Sequence, residues 1–220
     1  MPDLNPVLYN DCYRLDECWN EEEIKLMFVT LQNCQRYEKT IRGEWARARD
    51  LCILAALRYL LLRPNEACGV KFSEINWETK IWWVNPELNK ERKPRPLSIP
   101  DRFIRYYKYY MSFPKWLWKD SAYLFPSSKN PRLSAHAWSR IFREKVLIPS
   151  GLYEMPKNTL PRTRSYLFRG TGATNLLDDG VSPWDVAQIL GHSDLRTIKN
   201  YYFQTKKFRQ RQAEALNKLV

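Results

Sequence analysis

The sequence predicts a mainly α-helical domain with a small three-stranded antiparallel β-sheet at one edge. Apolar residues recur at helical spacing over most of the chain, whereas the stretch from Val70 to Pro100 is rich in β-branched and aromatic residues. Glycines and prolines punctuate the last third at positions that suit helix ends. At 220 residues and 44% hydrophobic content, the chain can bury a full core, and no repeat or linker divides it.

Two helices are predicted in the first part of the chain. Asp16 and a Glu-rich turn precede apolar residues at helical spacing, which predicts a helix at about 20–33: Ile24, Met27, Phe28 and Leu31. Residues 45–62 are apolar on almost every side, as in a buried central helix, and we expect Pro64 to end it. Arg63 would then lie at a helix end beside the core.

Three short apolar runs predict the sheet. The first holds Val70, Phe72 and Ile75, the second spans 81–84, and the third holds Leu97 and Ile99. The charged sequence NKERKPR separates the last two runs. We therefore expect an antiparallel sheet with a basic hairpin tip.

Helices resume after the sheet, at about 101–112, 134–146, 165–179, 183–190 and 195–203. Gly180 is expected to end one helix, Ser182 and Pro183 to start the next, and Gly191 to end that one. His192 is therefore predicted in a tight turn between two helices.

Charge indicates a polyanionic partner. The formal net charge is +12, and it is unevenly distributed: residues 1–50 hold 7 basic and 10 acidic side chains, and the remainder hold 29 and 14. The surface that faces the partner is expected after residue 50. The aromatic stretch 105–120 has helical spacing, which favours core packing over stacking on nucleic-acid bases.

The N-terminus and the cysteines point to a soluble, cytoplasmic protein with no membrane partner. The first residues are acidic and polar, unlike a signal peptide, and the longest apolar stretch is interrupted by Arg58. Five cysteines are an odd number and include no C-x-x-C pair. Reduced, mostly buried thiols are favoured over disulfides or a zinc site.

Three segments carry a more specific signal: Leu62-Arg63-Pro64-Asn65-Glu66, Tyr166-Leu167-Phe168-Arg169, and Leu190-Gly191-His192-Ser193 followed by Tyr201. In this order they resemble the motifs of the tyrosine recombinase (phage integrase) family. The spacing also matches, with 23 residues from Arg169 to His192 and 9 from His192 to Tyr201. The resemblance covers about residues 12–205.

The resemblance implies the tyrosine recombinase or type IB topoisomerase-like catalytic fold. It implies DNA recombination and integration, as carried out by mobile and viral elements, through a 3′-phosphotyrosyl intermediate. The implied partners are double-stranded DNA and further copies of the chain in a tetramer, without a metal or nucleotide cofactor. We expect a leader at 1–14, the catalytic domain at 15–205 and a basic amphipathic tail at 206–220, which in the family packs onto a neighbouring subunit.

The resemblance also assigns roles by position. Arg63 and Arg169 would bind the scissile phosphate, and His192 would donate a hydrogen bond to it. A planar guanidinium suits this task because it grips two oxygens at once. Glu66, one helical turn from Arg63, would support the site. Taken singly, each arginine would more often serve a surface or salt-bridge role, and only the matched set favours catalysis.

The general acid of the family is a hairpin lysine, and alignment points to Lys90. Lys93 remains the alternative, because it lies in the same turn. Arg92 and Arg95 crowd this turn too, and a solvated run of charges is the simplest interpretation of such a cluster.

Tyr201 and Tyr202 compete as nucleophile. Leu195, Ile198 and Tyr202 form one apolar stripe at helical spacing, as core residues do, and Tyr201 is rotated away from it. Both this argument and the family spacing favour Tyr201.

Tyr166 departs from the family pattern, which has histidine at this position. A tyrosine titrates near ~10 and a histidine near ~6.5, so Tyr166 would accept a proton poorly at neutral pH. Two alternatives therefore stay open: a DNA-binding protein of this fold with weak or lost strand transfer, and a topoisomerase-like relative.

Overall fold

The computed structural model describes residues 18–88, 92–153, 165, 167–192, 195–203 and 205–217. The predicted leader at 1–14 lies outside them. The fold is mainly helical with one three-stranded antiparallel sheet, as expected. The helices are α1 Glu21–Gln32, α2 Ile41–Tyr59, α3 Pro64–Cys68, α4 Asp101–Met111, α5 Ala135–Phe142, α6 Leu167–Asp178, α7 Pro183–Leu190, α8 Arg196–Phe203 and α9 Lys206–Leu216. The strands are β1 Ile75–Asn76, β2 Ile81–Val84 and β3 Arg95–Ser98.

Helix α2 is the centre of the core. The Thr40 hydroxyl caps it by accepting from the Gly43 amide at 3.1 Å. Residues 48–57 are buried without interruption, and α1, α4 and α6 pack around the helix. The helix is therefore buried on all sides, as its composition predicts.

The prediction that Pro64 ends this helix was wrong. Helix α2 ends at Tyr59, and the chain turns at Leu61, which has φ +52. Pro64 instead opens α3, where the amide that proline lacks would have had no helical partner. Arg63 consequently caps the start of α3 rather than the end of the long helix.

The sheet has the order β1-β2-β3, with Trp82 opposite Ile75 on one side and opposite Leu97 on the other. Trp82 is buried and Trp83 exposed, as alternation along a strand requires. The first strand is shorter than predicted, because residues from Phe72 form a 3-10 turn. At the other edge Arg95 begins β3 on its buried face.

Helices α6, α7 and α8 agree with their predicted bounds to within two residues, whereas the α-helix predicted at 134–146 ends at Phe142 and continues as a π-helical turn at Arg143–Leu147. Gly180 and Gly191 adopt φ +90 and +63, a left-handed conformation that glycine tolerates, and Ser182 caps α7. Helix α6 contacts α2, α7 and α8. A second apolar cluster joins these helices to the turn after α2: Leu61, Ala173, Leu177, Val186, Ala187, Leu190 and Ile198.

The expected thiols and aromatic packing are largely confirmed. Among the described cysteines, Cys34, Cys52 and Cys68 are buried free thiols, and Cys18 is half-buried. In the aromatic stretch 105–120, the rings buried in the core include Tyr110 and Trp118, although Tyr109 and Trp116 are exposed. In the part of the chain that the structure describes, no helix is long and apolar enough to cross a membrane.

Candidate active site

Arg169 joins two of the predicted motifs. It lies on α6 with a buried guanidinium, which donates to the backbone carbonyl of Leu61 at 2.8 Å and to that of Leu190. Leu61 comes two residues before Arg63, and Leu190 two residues before His192. The segment at 62–66, called the arginine box below, and the turn after α7 are therefore held together by a side chain of the second motif.

Glu66 lies beside this junction with its carboxylate fully buried. It accepts from the backbone amide of Arg63 at 2.7 Å and from Nη1 of Arg63 at 2.9 Å. Burial alone would raise the pKa of Glu66, but the hydrogen bonds and charge of Arg95, the Arg63 amide and the nearby Arg169 outweigh it and lower the pKa. The carboxylate is therefore ionised at neutral pH.

Arg95 supplies the other two donors to this carboxylate. Its Nη1 and Nη2 lie 3.0 Å from Oε1 and Oε2 of Glu66, and its side chain is only 9% exposed. The interpretation of Arg95 as part of a solvated charge run was therefore wrong. Strand alternation could have indicated its position, because Arg95 shares a face with the buried Leu97 and Ile99.

Two guanidinium groups, those of Arg63 and Arg95, thus bind one carboxylate, and Arg169 is close enough to interact with it electrostatically. Burial lowers the pKa of Arg169, and the positive charges of Arg63 and Arg95 lower it further, against the opposing effects of Glu66 and Tyr201. Such a cluster carries more positive than negative charge. An arriving phosphate could supply negative charge and accept several charge-assisted hydrogen bonds.

Tyr201 completes this cluster. It lies half-buried on α8 against α6, where a methyl group added to Gly170 would be 3.5 Å from its Cε1. Gly170 follows Arg169 in α6, so Tyr201 lies beside the helical turn that carries this guanidinium. The structure therefore brings the predicted nucleophile and three arginines to one region.

The sequence matches the phage integrase family over residues 21–208. The chain belongs to this family. A relative in it is the tyrosine recombinase XerC of Corynebacterium glutamicum, 28% identical over 170 residues, which are 77% of this chain and 50% of that protein. The chain spans about half the length of the curated relatives it matches.

Solved structures show the same phage integrase fold. A crystal structure of the XerA recombinase superposes with a TM-score of 0.67 at 20% identity, covering 98% of this chain and 66% of that one. The Tn1549 transposon integrase in complex with circular intermediate DNA superposes with a TM-score of 0.69 at 18% identity, covering 97% and 72%. At these identities the likeness establishes the architecture.

The roles that the family resemblance assigns to Lys90, Tyr166 and His192 stay predictions. Lys90 and Tyr166 lie outside the described residues, whereas Lys93 is exposed. His192 is half-buried, and its amide donates to the Ala187 carbonyl at 2.9 Å, which closes the turn after α7.

The proposed stripe on α8 is only partly confirmed. Ile198 is buried, but Leu195 is 45% exposed, so the prediction that it is a core residue was wrong. The side chain of Tyr202 lies outside the described residues, so the choice between the two tyrosines stays a prediction.

Proposed function

We propose that this chain is the catalytic domain of a site-specific DNA recombinase that cuts and rejoins DNA strands through Tyr201. The observation that carries the proposal is a cluster in which Arg63 binds the buried carboxylate of Glu66, Arg169 ties the neighbouring segments together, and Tyr201 lies against the helix that carries Arg169. The positive cluster suits a phosphodiester, and a tyrosine beside it suits nucleophilic attack on that group. Membership of the phage integrase family supports the same conclusion.

In the proposed reaction, the Tyr201 oxygen attacks the scissile phosphorus. A phosphorus–oxygen bond to the tyrosine forms as the bond to the 5′ oxygen breaks, leaving a 3′-phosphotyrosyl link and a 5′ hydroxyl. Arg63 and Arg169 bind the non-bridging oxygens, on which negative charge must be stabilised, and His192 donates a hydrogen bond to the same group. Lys90 donates the proton to the leaving oxygen. Rejoining reverses these steps, because the phosphotyrosyl link conserves the energy of the phosphodiester bond that was broken.

Proton removal from Tyr201 is the step for which this chain departs from its family. Tyr166 replaces the usual histidine, and an ordinary phenol is a weak base near neutral pH. This substitution favours a second candidate function, in which the domain binds DNA but transfers strands slowly or not at all.

Double-stranded DNA is the proposed partner, because the residues after 50 carry the whole positive excess of the chain. We further propose assembly into a tetramer on DNA, in the cytoplasm of the host cell. The tail helix α9 presents Ala213 and an apolar Leu216 that is 59% exposed, as a segment that packs onto a neighbouring subunit would.

A nicked suicide substrate tests the proposal, because loss of the short 5′ fragment traps the covalent adduct. Wild-type protein should form an adduct. Tyr201→Phe removes only the attacking oxygen and should abolish the adduct with DNA affinity retained, whereas the matched Tyr202→Phe variant should keep it. An adduct that survives Tyr201→Phe would refute the nucleophile. If the wild type binds duplex DNA but forms no adduct, the second candidate function is favoured.

A further inference from the structure

Arg95 touches two motifs at once. On one side, its two terminal nitrogens bind both oxygens of Glu66 at 3.0 Å, and Glu66 in turn binds Arg63. On the other side it lies against the backbone of Gly191, where an added methyl group would be 2.7 Å from its Nη1 and 2.9 Å from its Cδ. One side chain therefore lies between the arginine box and the turn that carries His192.

The chemistry of this position suits arginine. A guanidinium presents two parallel donors to a carboxylate and is flat enough to lie under a peptide backbone, whereas lysine offers a single ammonium. The turn in contact with it has no room for a side chain, since Gly191 combines φ +63 with close contact to Arg95. Arg95 and Gly191 therefore fit together as a pair.

Arg95 is poorly placed to bind DNA itself. Both of its terminal nitrogens bind the negatively charged carboxylate of Glu66, and its side chain is 9% exposed against 26% for Arg63. Arg169 is at least as deeply buried, but it donates to neutral backbone carbonyls rather than to a carboxylate. Arg63 is thus more accessible than Arg95. The contribution of Arg95 must act through the residues that it holds.

We infer that Arg95 is a positioning residue that sets the Arg63 box and the Gly191–His192 turn in their relative places for strand cleavage. This inference rests on the proposed function. Without the two donors of Arg95, Glu66 keeps only the hydrogen bonds from Arg63. The Gly191–His192 turn also loses the side chain against which it packs. Misplacement of catalytic groups by about 1 Å can slow a reaction about 100-fold.

The test compares Arg95→Gln and Arg95→Lys with Arg143→Gln. Arg143 also pairs with a glutamate, at 3.1 Å, but its side chain is 50% exposed. We expect cleavage of the suicide substrate at saturating DNA to slow about 100-fold in Arg95→Gln. Arg95→Lys should be slowed less, and Arg143→Gln should match the wild type, with duplex affinity retained in all three. Cleavage by a folded Arg95→Gln protein at the wild-type rate overturns the inference.

A second measurement does not depend on activity. The chain has two histidines, and His136 is exposed on α5, so its imidazole resonance is an internal reference for that of His192. Arg95→Gln and Arg95→Lys should shift the C2 proton resonance of His192 and leave that of His136 in place. An unmoved His192 resonance overturns the inference, even if the wild type forms no adduct and the proposed function itself fails.

Glycine substitutions test the other side of the contact. Gly191→Ala adds a methyl group against Arg95, whereas Gly151→Ala adds one at a similar φ of +70 with no atom within 4 Å. Both variants carry the same kind of backbone strain. We expect the His192 resonance to move and cleavage to slow only in Gly191→Ala, and equal behaviour of the two variants overturns the proposed contact.

Discussion

Replacement of Glu66 by glutamine tests the charge balance of the site. The variant keeps the side-chain size and one carbonyl oxygen for the Arg63 amide, but it removes the negative charge that faces the guanidinium groups of Arg63, Arg95 and Arg169. Glu66 is fully buried, and removing one partner of a buried ion pair costs about 3–5 kcal/mol. Because Arg63 is 26% exposed and partly solvated, we expect the lower end, a loss of about 3 kcal/mol in the free energy of unfolding.

The pH dependence of this loss has a definite sign. The pKa of Glu66 is lowered from its ordinary value of 4.5, so the folded protein favours the ionised form. The stabilisation is then fully present above about 4.5 and is lost as the pH falls through the lowered pKa of the folded state. The difference between wild type and Glu66→Gln should therefore be constant from neutral pH down to about 4.5 and should narrow below it.

Chemical denaturation at several pH values measures both effects, with Glu74→Gln as the matched control. Glu74 accepts from the backbone amide three residues earlier, as Glu66 does, at 2.9 Å, and from Asn85 at 2.8 Å. It is half-buried, and no arginine donates to it in the hydrogen bonds of the described residues. We expect Glu74→Gln to lower the free energy of unfolding by at most about 1 kcal/mol. Equal losses in the two variants would show that the arginine cluster does not depend on the charge of Glu66.

Three further predictions concern DNA. Duplex affinity should fall about 100-fold as salt rises from about 50 to about 200 mM, because each contact to a DNA phosphate releases counterions on binding. An affinity that stays constant over this range of salt would contradict this. Deleting residues 206–220 should spare or increase cleavage of the suicide substrate but reduce multi-subunit assembly on DNA in native gels; unchanged assembly would exclude the proposed role of the tail. Tyr166→His should accelerate cleavage near neutral pH by up to ~100-fold if proton removal limits the rate. A folded variant that cleaves no faster would show that Tyr166 does not slow the wild-type reaction.

Helix ends were predictable where the sequence encodes a cap. Helix α7 runs from Pro183 to Leu190 as predicted, because Ser182 and Gly191 each suit one end only. Proline is ambiguous by comparison, since it can end one helix or open the next, and Pro64 does the latter. The turn at Leu61 separates α2 from α3 and has φ +52, which a bulky residue rarely adopts. No local sequence pattern predicts it.

The candidate site was predictable as a set of residues but not as a network. Motif order and spacing identified Arg63 and Arg169, yet the acceptors of Arg169 are backbone carbonyls 108 and 21 residues away. Alternation along β3 places Arg95 on the same face as Leu97, but its partner Glu66 lies 29 residues earlier and cannot be predicted from that alternation. Contacts of this range depend on tertiary packing, which local sequence does not encode.

The charge of the site links its stability to its proposed chemistry. Glu66 is shared by two guanidinium groups, and Arg169 hydrogen-bonds to neutral carbonyls rather than to a carboxylate. The free domain therefore holds more positive than negative charge in a largely buried cluster, and burial, followed by the charges of Arg63 and Arg95, lowers the pKa of Arg169. A phosphate between Arg63 and Arg169 would correct this imbalance, and the extra charge that develops on its oxygens during attack by Tyr201 would correct it further. The arrangement that destabilises the free domain is thus one that favours the proposed transition state.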